Sequence, residues 1–241
     1  MESQFDLKNA VLITTLAGLI TLLMPSAPSR ASVIADILTA SKAVVEVNAA
    51  GGGFVRNDSG GVRAVKFERK GGGIIIDAAG IVVTNAHIVS QAGRVTVTLQ
   101  DKTTVHAEIV HIAGGQDLAF LKIEPPYPLT AFVFADSDSV ELSHRVYAIG
   151  SSELLKNTIS EGTVSGLGQD RQAASSDGYK VKLLRVSFEV YQGDSGSPIL
   201  SRAAELLGIT TAAERSGNHE TFAIPSNIIQ RQYEGYLESV V

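Results

Sequence analysis

Gln192-Gly193-Asp194-Ser195-Gly196-Ser197-Pro198 is a turn with a serine at its apex, and its reading decides the rest of the chain. A nucleophilic serine needs backbone N–H groups aimed at the oxygen that turns negative when a carbonyl is attacked. Glycine at 193 lets the chain turn so that the N–H groups of Gly193 and Ser195, with Asp194 between them, converge on one point. Glycine at 196 leaves room for a substrate backbone beside Ser195, and Pro198 stiffens the exit. The same residues also suit an ordinary tight turn with a capping serine, so the chemistry depends on partners elsewhere in the chain.

Two other stretches supply candidates. Ile81-Val82-Val83-Thr84-Asn85-Ala86-His87 is a strand that ends in a histidine beside a small residue. Alone, His87 reads as a hydrogen-bonded structural residue. Gln116-Asp117-Leu118-Ala119-Phe120-Leu121-Lys122-Ile123 places a carboxylate just before an alternating strand, where an aspartate is commonly a turn residue. Of the other histidines, His106 and His111 belong to one strand at a spacing that points them to opposite faces, so they are poor joint metal ligands.

Further out, short β-branched runs recur over 43–47, 62–67, 73–76, 81–84, 94–99, 105–111 and 118–123. They resume over 146–149, 164–167, 181–190, 198–200, 206–210 and 221–224. Gly, Asn, Asp and Ser punctuate them as in antiparallel sandwiches and barrels, which makes the fold class all-β. Helical signals sit at the ends only, over 32–42 and from Ser226, which can cap a final helix with Ile228, Ile229, Tyr233 and Tyr236 on one face. Glu124-Pro125-Pro126-Tyr127-Pro128 lacks too many ladder donors to be a central strand. It reads as a linker between a β-domain at 32–128 and a second at 129–241. The glycine-rich stretch Gly51 to Gly61 reads as a mobile surface loop.

Composition narrows the function. The chain has 241 residues, 44% of them apolar and 19% charged, so it can bury a real core. A net charge of -5 gives no global basic field for nucleic acid. The absence of cysteine excludes disulfides, cysteine-zinc sites, iron–sulfur clusters and thiol nucleophiles. The uncharged run Ala10 to Met24, followed by Pro25-Ser26-Ala27-Pro28-Ser29-Arg30-Ala31, reads as a signal peptide over 1–31 or an N-terminal membrane anchor. Either exports the remainder to the periplasm or beyond. A domain standing on its own core without disulfides suits a bacterial or organellar envelope better than animal secretion.

His87, Asp117 and Ser195 occur in that order, the order of a known hydrolytic triad. With Gly71-Gly72-Gly73-Ile74-Ile75-Ile76-Asp77, Ile159-Ser160-Glu161-Gly162-Thr163-Val164-Ser165-Gly166-Leu167-Gly168, Leu207-Gly208-Ile209-Thr210-Thr211-Ala212 and Phe222-Ala223-Ile224-Pro225-Ser226-Asn227, the sequence resembles the HtrA/Deg type of trypsin-like serine proteases. The resemblance implies two antiparallel six-stranded β-barrels with the active site in the cleft between them. The family usually carries one or two PDZ domains after the protease domain, and the expectation here departs from it: a protease domain alone, ending at Val241.

On this resemblance His87 is the general base, Asp117 holds its tautomer, Ser195 is the nucleophile, and the N–H groups of Gly193, Asp194 and Ser195 make the oxyanion hole. No metal or organic cofactor is implied. Protein or peptide substrates are implied, and a homotrimer is compatible with the family. By position, Glu189, Thr210, Thr211 and Ala212 line the substrate pocket. A buried Glu189 would favour Lys or Arg before the scissile bond, whereas the family generally prefers small aliphatic residues. The family's usual G-N-S-G-G-P is here Gly193 to Pro198 with Asp194 and Ser197, so Asp194 must find a partner or stay solvated. Two alternatives stand beside an endopeptidase of envelope quality control or processing: a catalytically silent binding or scaffold module, and an esterase on the same site.

Overall fold

The computed structural model describes residues 29–56, 61–150, 158–172, 180–188, 193–213 and 221–240. The N-terminal apolar run, with the signal or anchor expectation that rests on it, and Glu189 lie outside the described residues. The side chain of Ala212 is outside them too.

The described chain opens with helix α1 (Arg30–Ala40), whose Ser29 cap accepts from Ser32 N–H at 3.2 Å and which buries Val33 and Ile37. The first barrel contains β1 (Val44–Arg56), β2 (Val62–Asp77), β3 (Ile81–Asn85), β4 (Arg94–Thr98), β5 (Thr104–Ala113) and β6 (Leu118–Ile123). These close in the order β1-β2-β3-β6-β5-β4. A single turn of helix, α2 (Ala86–Val89), leaves the end of β3. The second barrel contains β7 (Arg145–Ile149), β8 (Ile159–Gln172), β9 (Lys180–Val186), β10 (Pro198–Leu200), β11 (Leu206–Ala213) and β12 (Thr221–Pro225). Read from β7, it closes as β7-β8-β9-β12-β11-β10, the same path as the first. Every strand pairing in both barrels is antiparallel.

The pattern explains the pairing. Every residue of β3 is buried, so Ile81, Val82 and Val83 follow one another without alternation before the polar Thr84 and Asn85, whereas β4 alternates buried with less buried positions in the usual way for a wall strand. The prolines at 125, 126 and 128 lie outside every strand, and the segment after them is tied to each barrel: Phe132 N–H donates to the Ile75 carbonyl at 2.9 Å, and Phe134 makes an isolated parallel bridge to Leu206, with Ala135 N–H donating to the Leu206 carbonyl at 2.9 Å.

Helix α3 (Ser226–Ser239) follows the second barrel and lies back on the first. Tyr233 stacks on Phe120 with ring centroids 5.8 Å apart, Tyr236 stacks on His111 at 5.9 Å, and the Tyr233 hydroxyl donates to Asp77 Oδ2 at 3.0 Å. The expected apolar face of this helix is thus the one that packs. Ser226 does not cap it, because its hydroxyl donates to the Ala135 carbonyl at 2.7 Å and Pro225 occupies the cap position.

Two further expectations change. Gly51, Gly52 and Gly53 are not loop but β1, paired with Phe67, Lys66 and Val65. Gly51 is needed there because a Cβ would come within 2.4 Å of the Phe67 ring. In β5 a bulge between Ile109 and His111 interrupts the alternation expected to set His106 and His111 on opposite faces.

Candidate active site

Asp117 ends a 3₁₀ turn (Gly114–Gln116) in the left-handed conformation, with φ of 58°. Aspartate tolerates this geometry better than most residues, at a cost of about 1–2 kcal/mol. The kink presents both its carbonyl and its carboxylate to the start of α2. The carbonyl accepts from Ala86 N–H at 3.0 Å and from Asn85 Nδ2 at 3.3 Å. The carboxylate Oδ1 accepts from His87 N–H at 3.0 Å. The imidazole Nδ1 lies 2.9 Å from Oδ2 and 3.1 Å from Oδ1. An ionised carboxylate there accepts only, so Nδ1 is the ring nitrogen that carries a proton, and in the neutral imidazole this tautomer leaves the lone pair on Nε2. Asp117 is 1% exposed, while the His87 side chain keeps 32% of its surface open.

Ser195 docks on β2 of the first barrel through its backbone. Its carbonyl accepts from Gly72 N–H at 2.6 Å. Gly71 lies between the serine turn and α2, since a Cβ on it would meet the Ser195 carbonyl at 3.0 Å and Ile88 Cδ1 at 2.3 Å. Among the described residues Ser195 Oγ makes no hydrogen bond to His87.

Gly196 has φ of +86°, and a Cβ on it would stand 2.1 Å from the Gly72 carbonyl. The space expected for a substrate backbone is therefore taken by the first barrel. Thr84 Oγ1 donates to that same carbonyl at 2.7 Å. Gly193 has φ of 101°, as the expected turn requires. Among the described residues, no acceptor takes the N–H of Gly193 or Ser195. Asp194 is 2% exposed, which removes the solvated alternative for it.

The expected pocket residues are redistributed. Thr210 is fully buried and braces the loop. Its N–H donates to Ser197 at 2.9 Å, its carbonyl accepts from Gly196 at 2.8 Å, and its hydroxyl donates to the Asp194 carbonyl. Thr211 sits at a bulge in β11, where the register to β12 shifts between Thr210 and Ala212. A bulge re-aims a side chain, and here the hydroxyl donates to Asp117 Oδ2 at 2.6 Å. Reading the sequence missed both roles, since neither position carries a motif of its own. Ala212 pairs with Phe222 in the β11–β12 ladder.

The two barrels thus present a histidine–carboxylate pair from one side and a serine on a glycine-rich turn from the other, the arrangement of a chymotrypsin-type hydrolase. Residues 71–209 match the trypsin-like peptidase domain, and the chain belongs to that family. Among curated proteins it is 37% identical to periplasmic serine endoprotease DegP of Salmonella typhimurium over 184 residues, covering 75% of this chain and 38% of that protein. It is 34% identical to the putative serine protease HhoA of Synechocystis over 164 residues, covering 68% of this chain and 42% of that protein. The chain therefore spans well under half the length of these relatives. Among solved structures, the HtrA-type protease AlgW, in a substituted form with a decapeptide, superposes with a TM-score of 0.73. It shares 22% identity and covers 86% of this chain and 67% of that one, a likeness of fold.

Proposed function

We propose that the chain is a serine endopeptidase of the HtrA/Deg type, exported to the periplasm, that cuts envelope proteins during quality control or processing. The observation that carries this reading is the Asp117 carboxylate. Buried, it holds His87 by ring and backbone N–H together while accepting from Thr211 of the other barrel. A general base needs such a fixed tautomer.

In the proposed cycle Ser195 Oγ attacks the scissile carbonyl and passes its proton to His87 Nε2. Asp117 stabilises the imidazolium, and the N–H groups of Gly193 and Ser195, with the intervening Asp194, receive the oxyanion. His87 then protonates the leaving amine, the C–N bond breaks, and a water activated by the same imidazole hydrolyses the acyl-enzyme. Converging donors of this kind are worth about 10²–10³ in turnover each.

The test is digestion of unfolded casein by the full chain and by Ser195→Ala, with cut sites read by mass spectrometry. Cleavage lost in the variant supports the reading, and the residues before the cuts separate a basic from a small aliphatic preference. Cleavage by both proteins alike would remove it. Intact casein with hydrolysis of a simple ester would favour the esterase.

A further inference from the structure

β2 carries an arginine where its pattern calls for an apolar residue. In the β1–β2 ladder Val47 pairs with Gly71, Ala49 with Arg69 and Gly51 with Phe67, so Arg69 shares the inward face with buried Val47 and Ala49. A charge pointing into a barrel mouth is costly unless it is hydrogen-bonded. Arg69 finds its partners at the end of α2. Its Nη1 donates to the carbonyl of Ser90 at 2.7 Å and to that of His87 at 3.3 Å, and the guanidinium lies 4.2 Å above the centre of the Phe67 ring. The last carbonyls of a helix lack partners within it and favour a cation. Among the described residues no carboxylate forms an ion pair with Arg69.

The support continues one layer further. Phe67 lies over Gly51, where any side chain would strike the ring at 2.4 Å or the Gln91 carbonyl at 2.8 Å. Gly51, Phe67, Arg69 and the His87 carbonyl therefore form one line of contacts running from the glycine-rich part of β1 to the base.

We propose that Arg69 is a positioning residue for the proteolytic site, holding the backbone of His87 from the side opposite Asp117. The inference rests on the triad reading above. Asp117 fixes the N–H and the ring of His87, but the peptide that follows could still tilt and carry Nε2 off the line to Ser195. Arg69 removes that freedom by gripping the carbonyl. A displacement of about 1 Å in a catalytic group costs on the order of 10² in rate.

The experiment is steady-state kinetics of the full chain on a fluorogenic peptide cut from a casein site, with Arg69→Met and Arg69→Lys. Met keeps the apolar stem and loses every donor, whereas Lys keeps a charge and an ammonium that can donate. The expected result is a kcat about 10²-fold lower in Arg69→Met with KM within about twofold. Arg69→Lys is expected to recover most of the loss, and millimolar guanidinium to raise kcat of Arg69→Met without affecting the wild type. Should Arg69→Met fold poorly, Phe67→Leu removes the ring beneath the guanidinium and is expected to lower kcat in the same pattern. The proposal is overturned by a kcat within about threefold of wild type, or by a loss confined to KM, which would make Arg69 a substrate contact. A loss that neither Lys nor guanidinium relieves, and that follows the melting temperature, also overturns it. The triad reading fails separately, by activity persisting in Ser195→Ala.

Discussion

The Thr211 hydroxyl, on the second barrel, donates to Asp117 Oδ2, on the first, at 2.6 Å. The bond crosses between the barrels and ends on the carboxylate that holds His87, so one contact links the placement of the barrels to the orientation of the imidazole. Thr211→Val keeps the shape and leaves a buried carboxylate one donor short. A hydrogen bond to a charged group contributes about 1.5–3 kcal/mol. We expect kcat/KM to fall about 10- to 100-fold, measured on a fluorogenic peptide, and thermal unfolding to move to lower temperature. A variant with unchanged kinetics would show that His87 and the ladder hold Asp117 without it.

Gly196 closes against the other barrel by its backbone. With φ of +86° and the Gly72 carbonyl 2.1 Å from a would-be Cβ, Gly196→Ala cannot keep this docking. The left-handed conformation alone costs an alanine about 1–2 kcal/mol, and the clash adds to it. Activity is expected to vanish together with a drop in denaturant midpoint. Thr84→Val, which removes the hydroxyl that donates to that carbonyl, is expected to cost less, about 1–3 kcal/mol.

Helix α3 gives a dependence on alkaline pH. Burial first, then the hydrogen bond to Asp77, pushes the Tyr233 phenol up to about 12 from its ordinary 10.0. A phenol that holds its proton more tightly when folded contributes stability below the unfolded value, and that contribution is lost as pH rises from about 10 to about 12. Thermal melts across that window are expected to fall more steeply for wild type than for Tyr233→Phe. Parallel curves would show that the phenol leaves its site before it ionises.

Much of this was legible in the sequence, for physical reasons that differ by element. The barrel strands show as β-branched runs because each has at least one face in a core, and Ile81 to Thr84 shows best because both of its faces are buried. Glycines at 193 and 196 mark the serine turn because only glycine adopts those dihedrals cheaply. Tertiary context hid the rest. Gly51 looks like loop composition, yet it is strand because the Phe67 ring needs the space above it. Thr211 looks like a wall residue until a bulge turns it, and nothing local in Thr210-Thr211-Ala212 announces that bulge. Arg69 reads as one more exposed charge on a polar strand, because its partners on α2 lie 18 and 21 residues away.

In the proposed cycle His87, held by Asp117, activates Ser195. Replacing Ser195 or His87 with alanine is expected to cost on the order of 10⁶ in turnover, and Asp117→Asn about 10⁴. The most direct measurement is the rate at which a fluorophosphonate probe labels the full chain, compared with Ser195→Ala and His87→Ala, with the adduct located by mass spectrometry. A single adduct on Ser195 is expected in the wild type, none in Ser195→Ala, and labelling slowed by orders of magnitude in His87→Ala. Equal labelling of wild type and His87→Ala, or an adduct on another residue, would contradict this cycle.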